Sequence, residues 1–68
     1  METSIPEHVK RNLSKLHEER ESKSLSPEQL QRLSGVRADI IRAYESGTGT
    51  PTRSKYNKLA EIFGWEEW

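Results

Sequence analysis

Arg37 and Arg42 stand five residues apart, with Ala38, Asp39 and Ala43 around them. A guanidinium offers five N–H donors in a planar fork, which fits a phosphate or, bidentately, the edge of a guanine. The competing account is two solvated surface arginines. Arg53 is a third cation with the same two readings. Ser26, Thr48 and Thr50 offer hydroxyls beside backbone N–H groups. That combination holds phosphates, and it also makes helix caps and turns. For Ser26 both can hold at once. Asp39 has two accounts as well. Its carboxylate offsets the positive end of a helix dipole, or it accepts a hydrogen bond from a cytosine amino group. His8 and His17 lie nine apart in a chain with no cysteine, and no metal-ligand spacing connects them. They are expected to be surface histidines. No nucleophile–base pair is present, so neither an enzyme nor a cofactor is expected.

The elements that must carry these residues are short helices. Ser4 and Glu7 have the spacing of a capping box and Pro6 suits a first turn, so a first helix is expected from near Pro6 to somewhere in 20–23. Val9, Leu13, Leu16 and Arg20 recur along one side of it. Ser26, Pro27 and Gln29 give a second helix an N-cap, a proline at its first position and a capping-box partner. Gly35 can end that helix in the left-handed conformation. A third helix is expected over about residues 38–45, with Ile41 and Tyr44 inward. Residues 46–51 read as a loop. Thr52 caps a fourth helix over about residues 53–63, where Tyr56, Leu59, Ala60 and Phe63 form the apolar stripe and Gly64 closes it. The tail, 65–68, starts a fifth turn or frays.

Length and composition bound what this can be. Sixty-eight residues make one domain with a thin core, and Leu, Ile, Val and Phe together number only thirteen. Mean hydropathy is −0.97. The net charge of zero argues against disorder driven by self-repulsion. It also hides a gradient. Residues 32–58 carry six bases against two acids, and residues 59–68 carry three acids and no base. A basic middle hints at an anionic partner, or at an ordinary mixed surface. The longest apolar run is Ile40–Ile41, so no membrane span or signal-peptide core fits.

Two short helices joined through a glycine, with polar residues on the outside of the second, make the helix-turn-helix plan. Leu30, Leu33, Val36 and Ile41 are expected to form its inner stripe. Arg37, Ala38, Asp39, Arg42 and Ala43 are left for the outer face. From Leu25-Ser26-Pro27-Glu28-Gln29-Leu30 through Leu33-Ser34-Gly35-Val36, Ile41, Tyr44-Glu45-Ser46-Gly47, Pro51-Thr52 and Leu59-Ala60 to Gly64, the chain resembles the Cro/cI phage-repressor (XRE-type) helix-turn-helix family. The match runs without gaps over about 40 of the 68 residues. The resemblance implies an all-α fold, a small four- or five-helix bundle of the lambda-repressor-like kind. It implies operator binding and, usually, a homodimer. It also implies an ion pair between Arg20 of the first helix and Glu45 at the end of the third, with His17 the other candidate partner.

The chain departs from the family pattern at four places. Gln31 stands where a small residue is usual, and Arg37 at an N-cap where Ser or Thr is common. Pro27 stands where a phosphate-contacting Gln often lies, and Thr48-Gly49-Thr50 replaces a loop that is often basic. Residues 1–68 are expected to form one helix-turn-helix domain, with the motif proper at about 26–46 and a tail at 65–68. The expected activity is that of a cytoplasmic transcriptional regulator of a bacterium or phage, acting by occupancy of double-stranded DNA. The sites are Ser26, Arg37, Ala38, Asp39, Arg42, Ala43, Thr48, Thr50 and Arg53. The alternative is a protein-binding module that keeps the fold and has lost the DNA, supported by Asp39, the uncharged loop and an exposed Ile40. Trp65 is expected to lid the core. Trp68 is hard to bury in a monomer, and is expected either in a weak dimer contact or at a frayed end.

Overall fold

The computed structural model describes residues 5–68. They form five helices: α1 (Glu7–Ser14), α2 (Leu16–Ser22), α3 (Pro27–Ser34), α4 (Ala38–Ser46) and α5 (Arg53–Phe63). No strand occurs among the described residues.

The single first helix expected from the sequence is two. Ser14 Oγ donates to the carbonyl of Arg11 at 2.7 Å, the acceptor that the Lys15 N–H would use in a continuous α-helix. The Lys15 N–H bonds Asn12 O at 3.0 Å instead, and Lys15 takes φ −99, ψ 3. The inward series survives this break, because Val9, Leu13, Leu16 and Arg20 are all buried. The start also differs. Ser4 lies outside the described residues. Pro6 is itself the N-cap, without a side-chain cap bond, so Glu7 opens the helix and does not close a capping box.

The caps of α3 and α5 are as expected. Ser26 Oγ accepts from the Gln29 N–H at 3.1 Å and Gln29 Oε1 accepts from the Ser26 N–H at 2.7 Å. Gly35 ends α3 at φ 82. Thr52 Oγ1 accepts from the Lys55 N–H at 3.3 Å.

The core joins Val9, Leu13 and Leu16 to Leu30, Val36, Ile41, Tyr44, Tyr56, Leu59 and Ala60. Leu33 is not part of it and stands 61% exposed. The chain reverses at Gly35, and Val36 enters the core beside Leu30. Leu33 is left at the surface with Leu25, Gln29 and Arg32. Ile40 and Phe63 are half-buried against the core, and Ile40 is therefore not the free apolar surface expected of it.

The tail neither frays nor starts a turn. After Gly64 it runs back along α5. Tyr56 Oη donates to Glu66 O at 2.6 Å, and Asn57 exchanges two bonds with the Trp68 backbone at 2.8 and 3.2 Å. Trp65 stacks on Tyr56 and Phe63, with ring centroids 5.8 and 5.0 Å apart. Trp68 meets Tyr56 edge-on at 6.4 Å. His8 reaches Glu67 O with Nε2 at 2.9 Å, so it fastens α1 to the tail and is not simply a surface side chain.

Candidate nucleic-acid interface

α3 and α4 meet across the three-residue turn 35–37, and the turn is fixed at both ends. Arg37 is the N-cap of α4 but makes no side-chain cap bond. Gln31 supplies one from the neighbouring helix, its Oε1 accepting the Ala38 N–H at 2.8 Å. The large polar residue at the helix crossing and the poor N-cap thus compensate each other. The sequence contained both departures, but only the turn geometry connects them. At the other end of α4, Gly47 takes φ 78, and the Thr48 and Gly49 N–H groups converge on Ala43 O at 2.9 and 3.2 Å.

The orientation of α4 is set from behind by Arg20. Its Nε and one terminal nitrogen bind the two Glu45 oxygens at 2.7 and 3.1 Å, and its other terminal nitrogen donates to Leu25 O at 2.7 Å. Arg20 is only 6% exposed. One residue therefore ties α2 to the end of α4 and to the segment that enters α3. Burial pushes the Glu45 carboxyl up, but the hydrogen bonds from Arg20 and His17 outweigh it and hold the carboxyl below its ordinary value. The Glu45 bond raises the Arg20 guanidinium in turn. His17, the other candidate partner, joins the pair and does not replace it. Its Nδ1 lies 3.2 Å from Glu45 Oε1 and 3.0 Å from Arg20.

On the outer side, Arg37 and Arg42 both project into solvent, and each carries an acid. Arg37 donates to Asp39 at 3.3 Å, from side chains 73% and 65% exposed. Arg42 is paired across the motif with Glu28, the second residue of α3. The Arg42 hydrogen bond, aided by a backbone N–H, holds the Glu28 carboxyl below its usual range.

The remaining expected residues divide. Ser26 is half-buried with its hydroxyl engaged in the cap. Ala38 is 8% exposed and turned into the core, so it is not on the outer face. Its place at the first turn of α4, beneath Gln31, puts it at the crossing of the two helices. Ala43 is half-buried beneath Gly49, where a Cβ would stand 3.1 Å from the Ala43 methyl. Thr48 and Thr50 are exposed, and Thr48 Oγ1 bonds Ser46 Oγ at 2.9 Å. Arg53 is exposed, with its guanidinium 5.7 Å from the centroid of the Trp68 ring.

Between α4, the 47–52 loop and the start of α5 lies a cleft of about 360 Å³, with Asp39, Thr50 and Lys55 on its walls. Lys55 is a residue of this face that sequence reasoning passed over, and Gln31 was marked only as a departure from the family pattern, without a role. Lys55 had no motif to mark it, and only the return of the chain through the loop brings it beside α4.

The Helix-turn-helix family model matches residues 16–66, three quarters of the chain. The chain belongs to the Cro/C1-type helix-turn-helix family. It is a DNA-binding regulatory family and not a family of enzymes. No curated protein and no solved structure matches the chain. Within the matched span, α3 and α4 are the two short helices joined through the turn at Gly35. α1 precedes the matched span and Glu67 and Trp68 follow it. No cluster of His, Asp and Glu among the described residues could hold a metal ion. No helix among them is long and apolar enough to cross a membrane.

Proposed function

We propose that this helix-turn-helix protein regulates transcription by occupying a specific operator, with α4 in the major groove. The observation that carries the reading is the exposure of Arg37, at the N-cap of α4, and of Arg42, within it, on a helix whose far end is anchored from behind by the largely buried Arg20–Glu45 pair. A reading helix has to be rigid at its back and free at its front, because base readout depends on the geometry of each fork. Ser26 at the start of α3, Thr48 and Thr50 in the loop, and Arg53 and Lys55 at the start of α5 flank that helix. They are suited to phosphates, which set register and not sequence. Two subunits would bind a palindrome as a weak C2 dimer, with recognition helices about 34 Å apart.

The test is a fluorescence anisotropy titration of the protein with a random-sequence 20-base-pair duplex at low salt, followed by selection of preferred sequences from that pool. Binding with a recoverable sequence preference supports the reading. Absence of binding favours the second one, a protein-docking module. Leu33 speaks for that alternative, since a large apolar side chain standing 61% exposed is suited to a protein surface.

A further inference from the structure

The recognition face has an unusual charge arrangement for a surface that meets phosphates. Its two arginines are each held by a carboxylate of the same face, Arg37 by Asp39 and Arg42 by Glu28. The two pairs differ in kind. Arg37 and Asp39 are two residues apart at the start of one helix. Glu28 and Arg42 lie fourteen residues apart on the two helices of the motif. This second pair exists only because the turn brings α3 against α4.

We propose that Glu28 is a specificity-determining residue, which makes Arg42 a poor ligand for phosphates and leaves it a good one for a base edge. The inference rests on the reading of α4 as the recognition helix. A phosphate contact is chiefly Coulombic, and its strength comes from the counterions that a free cation displaces. An arginine already paired with a carboxylate displaces fewer. A base contact depends on directed hydrogen bonds. Glu28 accepts from only one terminal nitrogen of Arg42, so the donors on the other nitrogens remain. Holding that one nitrogen also narrows the directions the rest of the fork can take. One acid therefore lowers affinity for every duplex while sparing the contact that distinguishes sequences. Both side chains are more than half exposed, so the pair adds little to the stability of the fold and its effect falls on what Arg42 meets outside. Glu28 is also placed where its charge suits the first turn of α3, which lets the acid be kept without cost to the fold.

The experiment compares the wild-type protein with Glu28→Gln and with Glu18→Gln. Glu18 is an exposed acid of α2, so that second variant makes the same change in net charge away from the motif. Each protein is titrated with the random 20-base-pair duplex over a salt series, and each is used to select sequences from the same pool. Thermal melts establish that all three are folded. Glu28→Gln is expected to bind the random duplex roughly three- to tenfold more tightly at low salt, with a salt slope steeper by about one. The sequences it selects should be less biased than those of the wild type, and Glu18→Gln should match the wild type in both respects. The inference is overturned if the wild type selects a sequence but Glu28→Gln shows the same slope and the same selection. It is equally overturned if Glu18→Gln reproduces the whole effect. If the wild type binds no duplex at all, the reading of α4 fails and the inference fails with it, a result distinct from either of the others.

Discussion

Single residues have two separable jobs in the proposed reading, facing the DNA and holding the helix that does. Arg42→Ala is expected to weaken operator binding by about 1–3 kcal/mol and to relax preference at one base pair, the signature of a lost bidentate base contact. A smaller, uniform loss on all duplexes would assign Arg42 to phosphate. Asp39 favours its structural account, because it lies in the first turn of α4 and accepts from Arg37. Asp39→Ala should therefore lower the melting temperature slightly and tighten binding to every duplex, whereas collapse of preference at a single C·G pair with unchanged melting would assign it to base reading. Arg20→Ala should cost about 3 kcal/mol, since it leaves the half-buried Glu45 carboxylate with only the His17 contact. A domain of this length has little more than that to lose, and urea melts should show it largely unfolded. Glu45 also sets an acid limit. Its carboxyl is depressed in the folded state, so its contribution is complete above the ordinary glutamate value of about 4.3 and is lost as pH falls through the lower folded value. Circular dichroism along an acid titration should show that loss in the wild type, and Glu45→Gln should flatten this limb from a lower starting stability.

At the scale of elements, the ends of the helices matter more than their middles, because α1 to α4 are only 7–9 residues long and cannot stand alone. Gln31→Ala removes the side-chain bond to the Ala38 N–H at the start of α4 and should cost roughly 1 kcal/mol, measured by thermal melting. Restoring a local cap with Arg37→Ser in that background should recover most of the loss. If it does not, Gln31 acts through packing at the crossing and not through the cap. Gly35→Ala should cost roughly 1–2 kcal/mol through backbone strain alone, since φ is 82 and a Cβ there would meet nothing within 4 Å.

The whole molecule is closed by its two ends. His8 of α1 holds the tail at Glu67, and the tail carries Trp65 and Trp68 across Tyr56, which has no exposed surface. Deleting residues 65–68 should therefore lower the melting temperature, because it uncovers that ring. Sedimentation of the deleted chain also tests the proposed dimer, and an unchanged mass would take the tail out of the interface. With Arg37 and Arg42 both already paired, the salt slope on DNA should match only about three to five phosphates per subunit. A steeper slope would mean that cations beyond this face, such as Lys10, Arg11 or Lys15, reach the backbone.

Local chemistry was legible in the sequence wherever one short segment was enough to determine it. The Ser26–Gln29 box, the helix stops at Gly35 and Gly64 and the Thr52 cap each depend on a few neighbouring residues. The apolar spacings of α4 and α5 and the Arg20–Glu45 pair followed from periodicity and from the family resemblance. What failed were mostly judgements of which side a residue faces after the chain turns back, together with the local reading of one capped, unbroken first helix. Leu33 was displaced from the core by Val36, Ala38 and Ile40 were drawn inward, and Ser14 broke a helix by taking one carbonyl. The partners of Arg42, of the α4 N-terminus and of Trp68 also emerged only in the folded chain. Glu28, Gln31 and Asn57 lie 14, 7 and 11 residues away from them. The caps of α3 and α5 and the apolar periodicity are interactions within a turn or two of chain, and the sequence by itself determined them. Whether Arg42 on the outside of α4 stands free or paired depends on a contact between helices, and only the tertiary structure decided that.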